Sequence, residues 1–404
     1  MKKIQLFSFC NLYIILWLVY SLQATVFIDV GTVYSQAIIL FLTVVSLYYM
    51  AYTLIHYKIS LFMKMLTVFV VLLTIYGIAL IVGSDTYTTH RLERVSNYTY
   101  LLSLYSSLLP IYPFYVFTRQ GYLTHISLRW WTIVFLVAVL LLYNENRQAA
   151  LLNAVMLGSD REEFTNNVGY EFLAVMPLMA FFSEKRVIQY AGLAYIMVFI
   201  LLAMKRGAIL IGAVCFVYFI WRSMRGASDN RKFIVAILSV AVIVLGYFVI
   251  QNLLENSDYF QYRLELTQEG ESSGRDEIYS TLYNHFINET SPLKFLFGNG
   301  AYGTLKVSHR LAHNDWLELA INQGLLGIVV YVFYWISFLK IIHRARFNDE
   351  LHMAITLLFI IFLLRTFFSM SYGDMSIYAT CCLGYCLAKI NEHEFIIKNN
   401  YIIT

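Results

Sequence analysis

The sequence predicts an all-α polytopic integral membrane protein with about twelve transmembrane helices, and three observations support this fold class. Charged residues make up 13% of the 404 residues, about half of the roughly 25% that is usual in soluble domains. Hydrophobic residues make up 59%, and they gather into long runs. The net charge of +4 is too small to indicate nucleic acid as a partner. This composition excludes a soluble enzyme and a disordered chain.

Apolar runs follow one another along the chain without a separate soluble domain or an internal repeat, so residues 1–404 are expected to form a single transmembrane domain. A spanning helix needs about 20 mostly apolar residues, and several of the runs are shorter. Lys2 and Lys3 precede the first run without a cleavage site after it, which favours a first span over a removed signal peptide. The predicted spans are Ile4–Leu22, Tyr34–Leu54, Leu61–Val82, Tyr98–Phe117, Trp130–Tyr143, Gly169–Phe182, Gln189–Met204, Ala208–Trp221, Phe233–Ile250, Leu319–Ile342, His352–Met370 and Met375–Ile390.

The distribution of basic residues predicts the orientation. The short loops Arg222–Lys232 and Lys340–Arg346 are rich in Lys and Arg, which is typical of cytoplasmic loops. Alternating spans then place both termini in the cytoplasm. The long polar segment 253–318, with ten acidic and five basic residues, is placed outside. A long loop is usually functional or disordered, and its helical patterning and glycine turns favour a folded extracytoplasmic loop before the third-last helix.

The segment Ala-His-Asn-Asp-Trp-Leu-Glu, residues 312–318, is the most distinctive part of the sequence. His313 has a side chain suited to act as a general base near neutral pH. The other reading is structural, because Asp315 and Glu318 resemble a capping box at the start of a helix. Gly324, in the span that follows, would let a neighbouring helix approach closely.

His309 and His313 are four residues apart, a spacing that binds zinc when both lie on one helix. A helix capped by Asp315 would begin after His313 and would leave both imidazoles in non-helical backbone. We therefore expect no metal site and no cofactor.

Lys205-Arg206-Gly207 lies between two apolar runs, at a boundary that the charge distribution places outside. An arginine and a lysine here would suit a phosphate or diphosphate, since guanidinium binds it through two parallel hydrogen bonds. A pair of cations that snorkels at a helix end is the alternative.

Arg275 is one of few cations in the acidic segment, and Gly298 and Gly300 form a Gly-x-Gly turn farther along it. Arg275 is a candidate anion ligand or one partner of an exposed ion pair, which would contribute little stability. The glycines are a candidate anion-binding nest or an ordinary turn.

Lys64, Arg365 and Asp374 lie in or near predicted spans. Ionisable groups within a membrane often mark a substrate path, so a transporter or flippase is an alternative function. Transporters often carry internal repeats, and the sequence shows none.

Taken in order, these motifs resemble the O-antigen polymerase/ligase superfamily of bacterial membrane glycosyltransferases. The features are Lys205-Arg206-Gly207 opening a helix, a helix led by Arg275, the Gly-x-Gly turn, and His-Asn-Asp-Trp-Leu-Glu before a Gly-x-x-Gly helix. The resemblance covers roughly Met204–Ile342. One residue departs from the family pattern, because Lys205 stands where the family usually has serine.

The resemblance implies a GT-C-like fold and a donor glycan linked to undecaprenyl diphosphate. It implies that Arg206 and Arg275 hold the diphosphate and that His313 activates the acceptor hydroxyl, so that transfer inverts the anomeric centre without a metal. The further residues implied in substrate binding are Lys205, Asn314, Asp315, Glu318, Gly298 and Gly300.

Two activities compete within the superfamily. A polymerase of O-antigen or capsular polysaccharide joins lipid-linked repeat units, and an O-antigen ligase transfers the finished glycan to lipid A-core. The motif of residues 313–318 looks closest to polymerase members, so polymerase is the preferred reading. The resemblance implies the bacterial inner membrane, an extracytoplasmic active site, and a chain-length regulator and a flippase as partners.

Overall fold

The computed structural model describes residues 8–27, 31–83, 87–88, 94–95, 97–156, 167–225, 228–257, 260–261, 264–265 and 274–403. Lys2 and Lys3, and residues 258–259, 262–263 and 266–273 of segment 253–318, lie outside the described residues. The described chain is almost entirely helical, with one antiparallel pair of two-residue strands, β1 (Tyr87–Thr88) and β2 (Arg94–Val95). The helices are α1 (Phe9–Ser21), α2 (Gln23–Phe27), α3 (Val33–His56), α4 (Leu61–Val82), α5 (Asn97–Leu108), α6 (Ile111–Arg119), α7 (His125–Met156), α8 (Gly169–Val175, continued by a 3₁₀ turn over Met176–Phe182), α9 (Arg186–Leu202), α10 (Arg206–Met224), α11 (Asp229–Asn256), α12 (Arg275–Ile287), α13 (Pro292–Phe297), α14 (Gly303–Ser308), α15 (Asp315–Arg344, followed by a 3₁₀ turn over Ala345–Phe347), α16 (Asp349–Phe368) and α17 (Ile377–Ile403).

Within the described residues, eight helical segments are long and apolar enough to cross a membrane, and three shorter apolar helices accompany them. The eight include α3, α4, α7, α10, α11, α15 and α16, together with the pair α5–α6. The prediction of a helical, multi-pass membrane protein is therefore confirmed.

Proline and polar residues account for two differences between predicted and observed helix ends. Pro110 separates α5 from α6, since a proline cannot continue the hydrogen-bond ladder of a helix. The predicted span Trp130–Tyr143 is too short, because α7 continues through Met156. The hydropathy falls at the polar residues after Tyr143, but the backbone stays helical. The side chain of Asn146 donates a hydrogen bond from its Nδ2 to the Leu142 carbonyl oxygen at 2.9 Å, so this polar group is bonded within its own helix.

The interior is built from aromatic side chains, whereas α11 turns most of its apolar residues outward. Tyr331, Tyr334 and Phe69 stack against one another in the core between α4 and α15. On α11, by contrast, Phe233 and Phe248 are exposed. Exposed apolar side chains along a whole helix are expected where the solvent is lipid.

Three short helices, α12 to α14, lie in segment 253–318 and lead into α15. The chain breaks helical geometry inside α15 at Gly324, where φ is 65° and ψ is −156°. The backbone of the Gly298 turn lies against this break, since a Cβ on Gly324 would meet the Gly298 nitrogen at 2.6 Å. The Leu296 carbonyl carbon and oxygen, in the last turn of α13, would lie 2.7 Å from the same Cβ. The close approach at Gly324 is therefore to the end of a neighbouring short helix and to the turn that follows it.

Candidate active site

A cavity of about 480 Å³ lies where the segment before α15 meets the ends of several long helices. Five of the residues singled out in the sequence line it: Lys205, Arg275, His313, Glu318 and Asp374. The other lining residues lie outside the sequence motifs. They include Tyr100, Ser103, Tyr170, Tyr302 and Tyr372. The cavity thus combines two cations and an imidazole with hydroxyl groups and aromatic rings.

Lys205 and Arg206 stand at the first turn of α10, as the sequence predicted. Lys205 is the N-cap residue and Arg206 is the first helical residue. Both are half-buried, and the described cavity wall includes Lys205 but not Arg206. Gly207 has no room for a side chain, because a Cβ there would lie 2.4 Å from the Tyr170 hydroxyl oxygen and 3.3 Å from Phe368 Cβ. The glycine therefore lets the start of α10 approach two other helices.

Arg275 begins α12 and reaches the end of α16. Gly274, the N-cap of α12, has a φ of 73°, a conformation that glycine adopts at little cost. The Nη1 atom of Arg275 donates a hydrogen bond to the Phe368 carbonyl oxygen at 2.9 Å. This bond links the segment before α15 to Phe368, the residue against which Gly207 packs. It therefore helps to keep Arg275 and Lys205 at the same cavity.

His313 lies immediately before α15 in left-handed backbone conformation, with φ of 51°. A non-glycine residue held at positive φ stores strain, and such residues often occur at functional sites. Met204, which precedes Lys205, and Tyr302 in the cavity wall also have positive φ. Partial burial, and then the charges of Arg275 and Lys205, lower the pKa of the His313 imidazole below its ordinary value of 6.5. The imidazole is therefore neutral at pH 7 and has a lone pair that can accept a proton.

Asn314, not Asp315, caps α15. Its side-chain oxygen accepts hydrogen bonds from the backbone N–H groups of Trp316 at 3.0 Å and Leu317 at 3.2 Å. The expected capping box built on Asp315 and Glu318 is thus wrong by one residue, because Asn314 competes for the same position with an equally good cap. The helix still begins after His313, as predicted.

Asp315 is 0% exposed, and its oxygens bond within the protein. It accepts from the Tyr331 hydroxyl at 2.6 Å and from the Ser371 backbone N–H at 2.9 Å. Ser371 belongs to the connection between α16 and α17 that supplies Tyr372 and Asp374 to the cavity. The burial and bonding of Asp315 thus favour a structural role, in which it holds this connection, over direct contact with a substrate.

Glu318 is 1% exposed and joins three parts of the chain. Its carboxylate accepts from Thr304 Oγ1 at 2.7 Å, from the Ala312 backbone N–H at 2.9 Å and from Asn322 Nδ2 at 3.1 Å. Because Ala312 precedes His313, these bonds fix the backbone that carries the imidazole. This arrangement also favours a positioning role.

The backbone N–H groups of Gly298 and Gly300 are already used within the protein. Gly298 donates to the Lys294 carbonyl at 2.7 Å, and Gly300 donates to the Asn322 carbonyl at 3.0 Å. A nest binds an anion through free N–H groups, so the geometry favours the alternative reading of an ordinary glycine turn. The turn packs on the break in α15, because a Cβ on Gly298 would lie 2.4 Å from the Asn322 carbonyl carbon and oxygen.

Arg365 and Asp374, which the sequence raised as possible parts of a transport path, pair with each other beside the cavity. Arg365 is 2% exposed, and its Nη2 forms an ion pair with the Asp374 carboxylate. Its Nη1 donates to the Asp374 carbonyl oxygen at 2.8 Å. The pair explains a buried cation in α16 without a transport path. Lys64 is exposed in the first turn of α4, where a lysine can extend to the membrane boundary.

The described structure provides no third ligand for a metal ion at His309 and His313. Both residues have positive φ and lie outside the helices. Among the described residues, no group of three or more His, Cys, Asp or Glu side chains could hold a metal ion.

The comparison with known protein families bears on the part of the chain that forms one side of the cavity. Residues 191–332 match a family model described as O-antigen ligase. This part of the chain is therefore similar to the O-antigen polymerase/ligase superfamily. The match contains every candidate residue from Lys205 to Glu318, and it confirms the resemblance seen in the motifs. No curated protein matches the chain.

Proposed function

We propose that the protein is an O-antigen or capsular polysaccharide polymerase that joins repeat units linked to undecaprenyl diphosphate by inverting glycosyl transfer. The observation that carries the proposal is the convergence of Lys205, Arg275 and His313 on one cavity, within a superfamily domain of glycosyltransferase type. Two cations complement a diphosphate, and a neutral imidazole complements a hydroxyl group that must lose its proton.

In the proposed reaction, a hydroxyl oxygen of the acceptor repeat unit attacks the anomeric carbon of the donor glycan. The bond between that carbon and the diphosphate oxygen breaks, and the diphosphate leaves from the opposite face, so the configuration inverts. His313 accepts the hydroxyl proton. Arg275 and Lys205 stabilise the negative charge that develops on the leaving oxygen, and the resemblance adds Arg206 to this group.

Donor binding would strengthen His313 as a base. The cations that lower the pKa of the free imidazole would be offset by the negative charges of a bound diphosphate. The pKa of His313 would then rise, since a nearby anion favours the protonated form. The imidazole would become more basic when both substrates are in place.

The proposed topology has about twelve helices in a GT-C-like arrangement, both termini in the cytoplasm, and segment 253–318 as an extracytoplasmic catalytic loop. The two ends of α10 support it. Lys205 and the cavity lie at its start, and Arg222, paired with Asp349, lies in its last turn. The 19 residues of α10 rise about 28 Å, close to the thickness of the hydrocarbon core of a bilayer. With α10 as a span, the positive-inside rule favours a cytoplasmic position for the basic residues near Arg222 and an extracytoplasmic position for the cavity.

An O-antigen ligase is the second candidate, since the matching family model is described by that name. The glycan profile of a deletion strain separates the two. Loss of long chains with one repeat unit still attached to lipid A-core supports a polymerase. Absence of any attached repeat unit, with lipid-linked polymer accumulating, would contradict polymerase and support ligase.

A further inference from the structure

Tyr170, in α8, carries a buried hydroxyl group that lacks a hydrogen-bond partner among the described residues. The residue is 4% exposed, yet it lines the 480 Å³ cavity. Leaving a buried hydroxyl unpaired destabilises a protein, and most buried polar groups are therefore bonded. A ligand in the cavity would supply the missing bond.

The surroundings of this hydroxyl suit an anion. It lies at the first turn of α10, 2.4 Å from the position that a Cβ on Gly207 would occupy. The N–H groups of a first helical turn have no acceptor within the helix and favour negative charge. Lys205 caps the same helix, and Arg275 lines the same cavity.

Arg365 holds the Tyr170 ring in place. Its guanidinium carbon lies 4.6 Å from the ring centroid, within the range of a cation–π interaction. The same guanidinium pairs with Asp374, whose negative charge would otherwise repel an anion at the cavity. The hydroxyl is thus held beside the cavity before any ligand binds, and a preorganised donor loses less entropy on binding.

We propose that the Tyr170 hydroxyl donates a hydrogen bond to a phosphate oxygen of the lipid-linked diphosphate, as a third donor beside Lys205 and Arg275. The inference rests on the proposed function, which supplies the diphosphate. Tyr170 precedes the matched residues 191–332, and no motif includes it. The tyrosine keeps its proton, and the hydrogen bond strengthens as charge develops on the leaving diphosphate.

Binding of undecaprenyl diphosphate without a glycan to the purified full-length protein tests this assignment. Tyr170→Phe removes one oxygen atom and should weaken binding by at least about tenfold, the effect of a lost hydrogen bond to a charged group. Its thermal stability should equal or exceed that of the wild type, because the hydroxyl has no hydrogen-bond partner to lose in the described part of the chain. Tyr190→Phe is the matched control, since Tyr190 is equally buried but lies outside the cavity wall, and it should bind as the wild type does.

Arg275→Ala separates failure of this inference from failure of the proposed function. If Arg275→Ala loses binding while Tyr170→Phe keeps the wild-type affinity, the role of Tyr170 is wrong and the diphosphate site stands. A wild-type protein that does not bind the lipid diphosphate would overturn both. Reduced thermal stability of Tyr170→Phe would show that the hydroxyl has a structural partner, and this result would also overturn the inference.

Discussion

Glu318→Gln should destabilise the protein although it changes a single atom. All three groups that face the carboxylate, on Thr304, Ala312 and Asn322, donate hydrogen bonds to it. A glutamine must place its NH₂ group at one of the two positions that the carboxylate oxygens of Glu318 occupy. At one position it faces the Ala312 N–H, and at the other it faces Asn322 Nδ2. Asn322 cannot simply reverse its amide, because its Oδ1 accepts from the Thr304 N–H at 3.0 Å.

At least one buried donor is therefore left unpaired, which costs about 1.5–3 kcal/mol for a lost bond to a charged group. Unfolding in mixed micelles with an increasing fraction of denaturing detergent measures this difference. Glu277→Gln, at an exposed position on α12, is the matched control and should change the free energy of unfolding by less than about 0.5 kcal/mol. Equal stability of Glu318→Gln and the wild type would refute the positioning role. Polymer synthesis should fall together with stability, because Ala312 precedes His313.

Two further predictions concern charge at the cavity. The value of kcat/KM should rise with pH, because the neutral imidazole of His313 is the base, and the midpoint of this rise should lie below pH 6.5. Arg275→Gln removes a positive charge near the imidazole and should therefore move the midpoint upward. A midpoint that stays fixed in the variant would contradict the electrostatic coupling. Arg206→Lys should impair polymer synthesis in membranes, since an ammonium group cannot form the two parallel bonds of a guanidinium, whereas Arg222→Lys at the other end of α10 should retain it. Full activity of Arg206→Lys would mean that charge alone suffices at that position.

Most of the transmembrane architecture could be predicted from the sequence, because lipid requires long apolar helices and these are visible as runs. Helix ends were less predictable. The run ending at Tyr143 stops where hydropathy falls, but α7 continues because hydrogen bonds within the helix, and not hydropathy, determine where it ends. The break at Gly324 was also hidden, since a glycine within an apolar run has the same appearance whether the backbone there is helical or not.

One half of the cavity could be predicted and the other could not. Lys205, Arg275 and His313 stand out because they are ionisable groups within recognisable motifs. Tyr170, Tyr302 and the connection after α16 carry no motif, and they reach the cavity only through contacts between distant parts of the chain. One signal was available, the charged Arg365 in an apolar run, and its partner Asp374 proved to line the cavity.

The rate of glycosyl transfer by His313→Ala tests the central claim most directly. The assay uses purified protein, a saturating lipid-diphosphate-linked donor and an acceptor repeat unit, and it compares His309→Ala, an exposed histidine four residues earlier. Loss of a general base lowers the rate by about 10²–10⁴-fold, so we expect that fall in His313→Ala, with wild-type binding of the donor and a wild-type rate in His309→Ala. A wild-type rate in His313→Ala would contradict the account.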